Sequence, residues 1–212
     1  DWLASLTEVD PGRIAVTGGS GGDTQTLMLC ALEDRIATAF AAVMVSTAMQ
    51  GGCTCENACG LRVGVGNVDF AALFAPKPLG LASANDWTRD FHRDGYPELQ
   101  QLYALLGANQ NVTLAALTQY GHNYNYVTRS HMYEWFNNHL QLGQETPIVE
   151  RDFVPLTKQE QTVWNAEHPA PHTNDDYERK LVLTMDQVNG RPLDTEVSSK
   201  ESLERLRTIL HG

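Results

Sequence analysis

The sequence predicts an α/β fold: a mainly parallel sheet of about four strands flanked by helices, followed by a helical and irregular tail. Two observations predict it. Over residues 1–143, short runs that are apolar on both faces alternate with helical stretches, and strands buried on both sides belong to parallel sheets covered by helices. Residues 144–212 differ. They are polar, carry Pro147, Pro155, Pro169, Pro171 and Pro192, and read as short helices joined by loops.

Residues 1–7 read as the last turns of a helix, and "VDPGR" (9–13) as a turn in which Pro11 presets φ. "RIAVTG" (13–18) is a β-branched, buried strand. Residues 22–33 form a helix with Asp23 or Thr24 near its start and Leu27, Met28, Cys30 and Ala31 along it. "ATAFAAVMVS" (37–46) is a second strand. Residues 47–68, rich in Gly, Cys and Asn, read as an ordered loop. "NVDFAALFA" (67–75) is a short helix, and "PKPLGLASAND" (76–86) a third strand that ends in polar residues. Residues 96–107 place Leu99, Leu102, Tyr103 and Leu106 on one helical face, and Gly107 ends the helix. "NVTLAALTQYGH" (111–122) is a fourth strand running into a loop. Residues 128–141 form a last helix, with Met132, Trp135, Phe136 and Leu140 on one side. The tail holds two capping boxes, Thr157 to Glu160 and Ser198 to Glu201.

Composition bounds the function. The chain has 212 residues, 42% hydrophobic and 19% charged, as in an ordinary globular protein. A net charge of −11 argues against nucleic acid and anionic membrane as partners. No run of about eighteen apolar residues spans a membrane. The chain opens "DWLASL", with neither a signal peptide nor an initiator Met, and reads as processed, trimmed or a fragment. Of the four cysteines, Cys30 stands apart, while Cys53, Cys55 and Cys59 cluster as C-x-C-x-x-x-C. That spacing, without a second ligand pair, fits zinc poorly. A loop-stapling disulfide and free thiols both stay open. A disulfide implies export, so a periplasmic or secreted location is favoured slightly over the cytoplasm. Neither a metal nor a cofactor is expected.

The chemistry starts at "IAVTGGSGG". Gly18, Ser20 and Gly22 satisfy G-x-S-x-G, and here the pattern follows a strand and opens a helix, the context that gives it meaning. Small neighbours let strand and helix approach closely around a strained serine. The Gly21 N–H, at the helix N-terminus, is placed to donate to an oxyanion. A serine nucleophile needs a base, and the base an orienting group, and in such sheets these sit at the C-terminal ends of later strands. The third strand ends in Asp86 and the fourth in His122, in the order Ser, Asp, His. Gly19, Glu56, Trp87 and Asn123 are expected to touch substrate, with Glu56 a second candidate acid. Asp90 and Asp94 lie farther from the strand end. His92 is a loop residue, His131 and His139 lie on the last helix, and His168, His172 and His211 fall in the tail.

"VDPGRIAVTGGSGG", then "FAALFAPKPLGLASANDWT", then "QYGHNYNY" before an amphipathic helix, resembles the C-terminal half of α/β-hydrolases. Within them it looks like the acetyl-xylan-esterase-like and prolyl-oligopeptidase-like branch. The A-P-K-P-L stretch matches that branch's A-P-R-P-L strand entry, and the cysteine-containing loop before it is also similar. The resemblance covers about residues 1–143. It implies Ser20 as nucleophile, Asp86 as acid and His122 as base of a serine esterase acting on short acyl esters, sugar acetates among them. A peptidase of the prolyl-oligopeptidase type has the same triad order. A non-catalytic hydrolase remnant serving as an assembly module is the third reading.

The resemblance also exposes a break. Family members carry several strands before the nucleophile, whereas only a helix remnant and a turn precede Ser20 here. The absent half would carry the second oxyanion donor, whose loss costs about 2.7–4 kcal/mol of transition-state stabilisation. It would also carry neighbours for "RIAVTG". The expectation is that a second copy, a partner chain or the tail covers that strand's edge.

Overall fold

The computed structural model describes residues 2–47, 54–56, 64–170, 176–177 and 179–180. Four parallel strands form one sheet in the order β1 (Ile14–Gly19), β2 (Ile36–Ala42), β3 (Leu79–Ser83), β4 (Val112–Ala116). Chain order and sheet order coincide, so each strand pairs with the next: Val16 with Ala39, Ala41 with Leu81, Leu81 with Leu114. Because all four run the same way, their C-terminal ends share one edge, and the loops that leave them converge there.

Helices cover both faces. On one side α1 (Gly21–Leu32), α2 (Asn67–Ala72) and α4 (Tyr96–Leu105) join Leu27, Cys30, Ala71, Phe74, Leu99 and Tyr103 to Ala39, Ala41, Leu79 and Leu81 of the sheet. On the other side α5 (Tyr126–His139) brings Met132, Trp135 and Phe136 against Phe40, Ala42 and Ala82. Gly80 makes room for this second layer. A Cβ there would lie 2.4 Å from the Phe40 ring and 3.2 Å from the Trp135 indole. The one-turn α3 (Phe91–Asp94) precedes α4.

The expected elements are present with shifted ends. Residues 1–7 make only a 3-10 turn, Leu3–Ser5, and not the end of a helix. Trp2 and Leu3 stay exposed, so no buried apolar face offsets the cost of starting a helix there. The second strand leaves the sheet at Ala42, since Val43 takes a positive φ of 57°, rare for a β-branched residue. Val43, Met44, Val45 and Ser46 nonetheless remain buried. The last helix begins two residues early because Asn125 caps it, accepting the Thr128 N–H at 3.1 Å. Gly107, at φ +70°, follows the end of α4 as expected.

Among the described residues β1 pairs with β2 alone, and its other edge is open. None of the helices there is long and apolar enough to cross a membrane. The chain divides into two compact units, Asp1–Glu150 and Arg151–Gly212. Residues 144–150 belong to the first because they bond to α5: the Gln144 N–H donates to Asn137 Oδ1 at 2.9 Å, and Glu150 pairs with Arg129. In the second unit the Thr157–Glu160 capping box starts a short helix, α6 (Lys158–Gln161). The Ser198–Glu201 box lies outside the described residues.

Candidate active site

Each strand sends one chemically capable side chain to the common edge. Ser20 follows β1, Glu56 lies in the loop after β2, Asp86 follows β3 and His122 follows β4.

Ser20 is the hinge between β1 and α1, at φ 59° and ψ −120°. That backbone is strained for a residue with a side chain, and it is held by the elements on both sides. The Ser20 N–H donates to Ala42 O at 3.0 Å, and its carbonyl accepts from Asp23 N at 2.9 Å. The sharp reversal needs Gly18. A Cβ there would lie 2.2 Å from the backbone carbon and oxygen of Gly22. Gly21 opens α1, so its N–H has no carbonyl one turn back to bond within the helix.

Asp86 and His122 meet because the β3–β4 pairing continues past the strands. The Leu117 N–H donates to Ser83 O at 3.0 Å, and Asn85 N–H to Tyr120 O at 2.7 Å. His122 Nδ1 lies 2.7 Å from Asp86 Oδ2. The carboxylate accepts, so Nδ1 carries the proton and Nε2 is left as the basic atom. The other Asp86 oxygen accepts from Thr88 twice, from the backbone N–H at 2.7 Å and from the hydroxyl at 2.6 Å. Thr88 is wholly buried and also receives the Ala84 N–H at 3.0 Å. Trp87 leans on the imidazole, with ring centroids 4.6 Å apart.

Glu56 stands between Ser20 and His122. Its side chain is 3% exposed, the Ser20 hydroxyl donates to its Oε1, and that same oxygen lies 3.8 Å from His122 Nε2. Among the described residues no hydrogen bond joins Ser20 to His122 directly. Cys55, one residue earlier, is disulfide-bonded. Cys30, by contrast, is free and buried, its thiol pushed up to about 12 by burial and then by nearby Asp23. Cys55 packs on the elbow, since a Cβ on Gly21 would lie 2.7 Å from its Cβ and 2.9 Å from its Sγ. Cys53 and Cys59 lie outside the described residues.

Gly19 and Asn123, expected to touch substrate, also make contacts inside the protein. Gly19 is covered by Tyr124. The Asn123 amide donates to Gly121 O, and its oxygen accepts the Asn125 N–H at 2.8 Å, which shapes the His122 loop. Two residues were not foreseen. Tyr124 links the His122 loop to β1, and Asp23 is a fully buried carboxyl. Its burial pushes that carboxyl well above the usual range, which the nearby Met44 backbone amide offsets only in part. Three tyrosines stand within "YGHNYNY", and nothing in their spacing singles out Tyr124. Among the described residues no group of three or more His, Cys, Asp or Glu side chains is arranged to hold a metal ion.

Neither a protein-family model nor a curated protein sequence matches the chain. Solved structures do. A protein named Methylesterase BT1017 is 34% identical, with a TM-score of 0.61, over 66% of this chain and 32% of its own. This chain thus spans about a third of that methylesterase's length. A carbohydrate esterase family 15 glucuronoyl esterase from Caldicellulosiruptor kristjansonii matches 71% of this chain and 50% of its own, at 14% identity and a TM-score of 0.49. An acylaminoacyl peptidase from Pyrococcus horikoshii matches 68% and 27%, at 17% identity and a TM-score of 0.47.

Proposed function

We propose that this chain, which has the α/β-hydrolase fold, carries the nucleophile, base and acid of a serine ester hydrolase. The observation that carries the reading is the 2.7 Å bond from His122 Nδ1 to Asp86, at the same sheet edge as a serine with φ 59°. The methylesterase match supports the ester as substrate class.

Ser20 Oγ attacks the ester carbonyl carbon and passes its proton to His122 Nε2. Asp86 holds the Nδ1 proton and stabilises the imidazolium that forms. The Gly21 N–H receives the oxyanion. The tetrahedral intermediate collapses, the alcohol leaves with the proton from Nε2, and an acyl-Ser20 remains. Water, deprotonated by His122 Nε2, then attacks that acyl group, and the acid leaves as the proton passes from Nε2 to Ser20 Oγ. No cofactor enters the sequence. In the resting site the Ser20 hydroxyl sits on Glu56, so substrate must draw it toward Nε2. Leaving Glu56 gives up one hydrogen bond, and the bond to Nε2 takes its place. Asp86 Oδ2 lies 2.7 Å from His122 Nδ1 and Glu56 Oε1 3.8 Å from its Nε2, so both ring nitrogens face a carboxyl group. We propose that a further strand covers the edge of β1 that is open among the described residues, and that its neighbourhood supplies the second oxyanion donor.

The test is to incubate the protein with a fluorophosphonate probe, 4-nitrophenyl acetate and the methyl ester of a carboxylic acid, beside Ser20→Ala. Labelling of Ser20 and ester turnover that Ser20→Ala abolishes are expected. Equal turnover by both proteins rejects the assignment. Labelling without turnover favours a remnant, and cleavage of peptides but not esters a peptidase.

A further inference from the structure

The loop that carries His122 is fastened to the strand that carries Ser20, and Tyr124 is the fastener. Tyr124 lies two residues after His122, and its ring rests on Gly19, the residue before Ser20. A Cβ on Gly19 would lie 3.1 Å from Tyr124 Cβ and 3.3 Å from its Cδ1. A side chain there would press on the ring, which would have to give by a few tenths of an ångström. At the far end of the ring, the hydroxyl lies 2.5 Å from Thr17 Oγ1. The Thr17 hydroxyl donates to Phe40 O at 2.7 Å, so its oxygen is left to accept, and Tyr124 is the donor. The phenol keeps its proton at any working pH, because burial pushes it up to about 12.

The backbone of Tyr124 is held from the other side. Its carbonyl accepts Arg129 Nη1 at 2.6 Å. Arg129 in turn meets Glu150 through two parallel bonds, Nε to Oε1 and Nη2 to Oε2, the second at 2.7 Å. The Tyr133 hydroxyl also donates to Glu150 Oε1. Two-point guanidinium–carboxylate pairs fix orientation as well as distance. The loop is thus pinned through its backbone to α5 and through its side chain to β1.

This matters because proton transfer from Ser20 to His122 is sensitive to separation. Two side chains on different loops stay in register only if the loops share an anchor. We propose that Tyr124 is a positioning residue: its ring on Gly19 and its hydroxyl on Thr17 set the distance between His122 and Ser20. Among the described residues its hydrogen bonds go to Thr17 and Arg129, and none goes to Ser20 or His122. The inference rests on the hydrolase reading above for its kinetic consequence, but not for its structural one.

The test compares Tyr124→Phe, Thr17→Val and the double variant with the parent protein. Tyr124→Phe keeps the ring on Gly19 and removes only the donor, so the fold survives. Expected is a fall in kcat for 4-nitrophenyl acetate of about 5- to 20-fold, with KM within about twofold, as for a group that acts on geometry. Thr17→Val reproduces the loss, and the double variant adds little to it, because the two remove one contact. In parallel, the low-field proton resonance of His122 Nδ1–H broadens in Tyr124→Phe, since the ring is less firmly seated against Asp86. A Tyr124→Phe protein with parental kcat overturns the proposal, whatever its melting temperature. If the parent turns over no ester, the hydrolase reading fails and the resonance decides: broadened, the clamp stands; unchanged, it falls.

Discussion

The hydroxyl of Ser20 is bonded to Glu56, and the accepting oxygen lies within 3.8 Å of His122 Nε2. Two groups therefore compete for one proton. In the resting site the Ser20 O–H points to the carboxylate and not to the imidazole. In the proposed mechanism this relationship bears on which residue takes the Ser20 proton, and substitution separates the two.

Glu56→Gln keeps a side chain of the same size and removes the charge. The expected outcome is fluorophosphonate labelling of Ser20 within about tenfold of the parent, because His122 remains the base. His122→Ala lowers the same rate by about 10²- to 10⁴-fold, the usual contribution of a general base. Second-order labelling rates across pH 5–9 provide the comparison. The reverse order, with Glu56→Gln inert and His122→Ala active, assigns the base to Glu56.

Asp86 is built to hold one tautomer. One of its oxygens is occupied by Thr88 and the other by His122 Nδ1. Asp86→Asn lets an amide N–H face the ring, so the imidazole turns its proton toward Nε2, where it cannot act as base. A fall in kcat of about 10³- to 10⁴-fold is expected, with little change in melting temperature. Thr88→Val leaves Asp86 charged and removes one of its bonds, so its loss is smaller. Steady-state turnover of 4-nitrophenyl acetate by the two variants tests the order. Equal activity of Asp86→Asn and parent would remove Asp86 from the mechanism.

Much of this was legible in the sequence for a physical reason. A buried parallel strand must be apolar on both faces, so β1 to β4 announce themselves as runs, and polar residues at their C-terminal ends mark one edge of the sheet. Ser20, Asp86 and His122 are found that way. What stays hidden depends on side chains that meet across elements. Glu56 stands out as a candidate acid, but its bond to Ser20 comes from a 3-10 turn, Thr54–Glu56, which periodicity does not place. Asp23 reads as an ordinary acidic residue at a helix start, where a carboxylate faces solvent and the helix dipole. Here the start of α1 is covered by the chain leaving β2, so the same residue is buried.

The glycines around Ser20 differ in what they tolerate. Gly18→Ala places a methyl 2.2 Å from Gly22 backbone atoms, which cannot rotate away. A loss of about 3 kcal/mol or more is expected, at the top of the range for overpacking. Gly21→Ala meets Cys55 at 2.7 Å, and the turn that carries Glu56 must shift. That costs about 1–3 kcal/mol and changes the labelling rate of Ser20 as well. Gly22→Ala meets nothing within 4 Å and sits in a helix, so it is neutral or stabilising by up to about 1 kcal/mol. Urea unfolding of the three variants tests the ranking. A Gly22→Ala protein less stable than Gly18→Ala contradicts this geometry.

Asp23 makes stability depend on pH in a direction opposite to most carboxylates. It is fully buried, and among the described residues neither carboxyl oxygen makes a hydrogen bond of good geometry. Burial raises its pKa in the folded protein above the ordinary value of 3.8. The folded state therefore holds the proton more tightly than the unfolded state. The group's contribution to stability is complete below pH 3.8 and is lost as pH rises from there through the raised folded value. Asp23→Asn keeps the shape and removes the titration. At pH 8 the variant is expected to be more stable than the parent by about 1–3 kcal/mol, the usual cost of an unsatisfied buried polar group. The advantage shrinks as pH falls toward 4, where the parent carries a neutral acid at the same place. Melting temperatures of both proteins from pH 4 to pH 8 give the two curves. Parallel curves over that range would mean that Asp23 does not titrate differently on folding, and that its burial is offset by a partner.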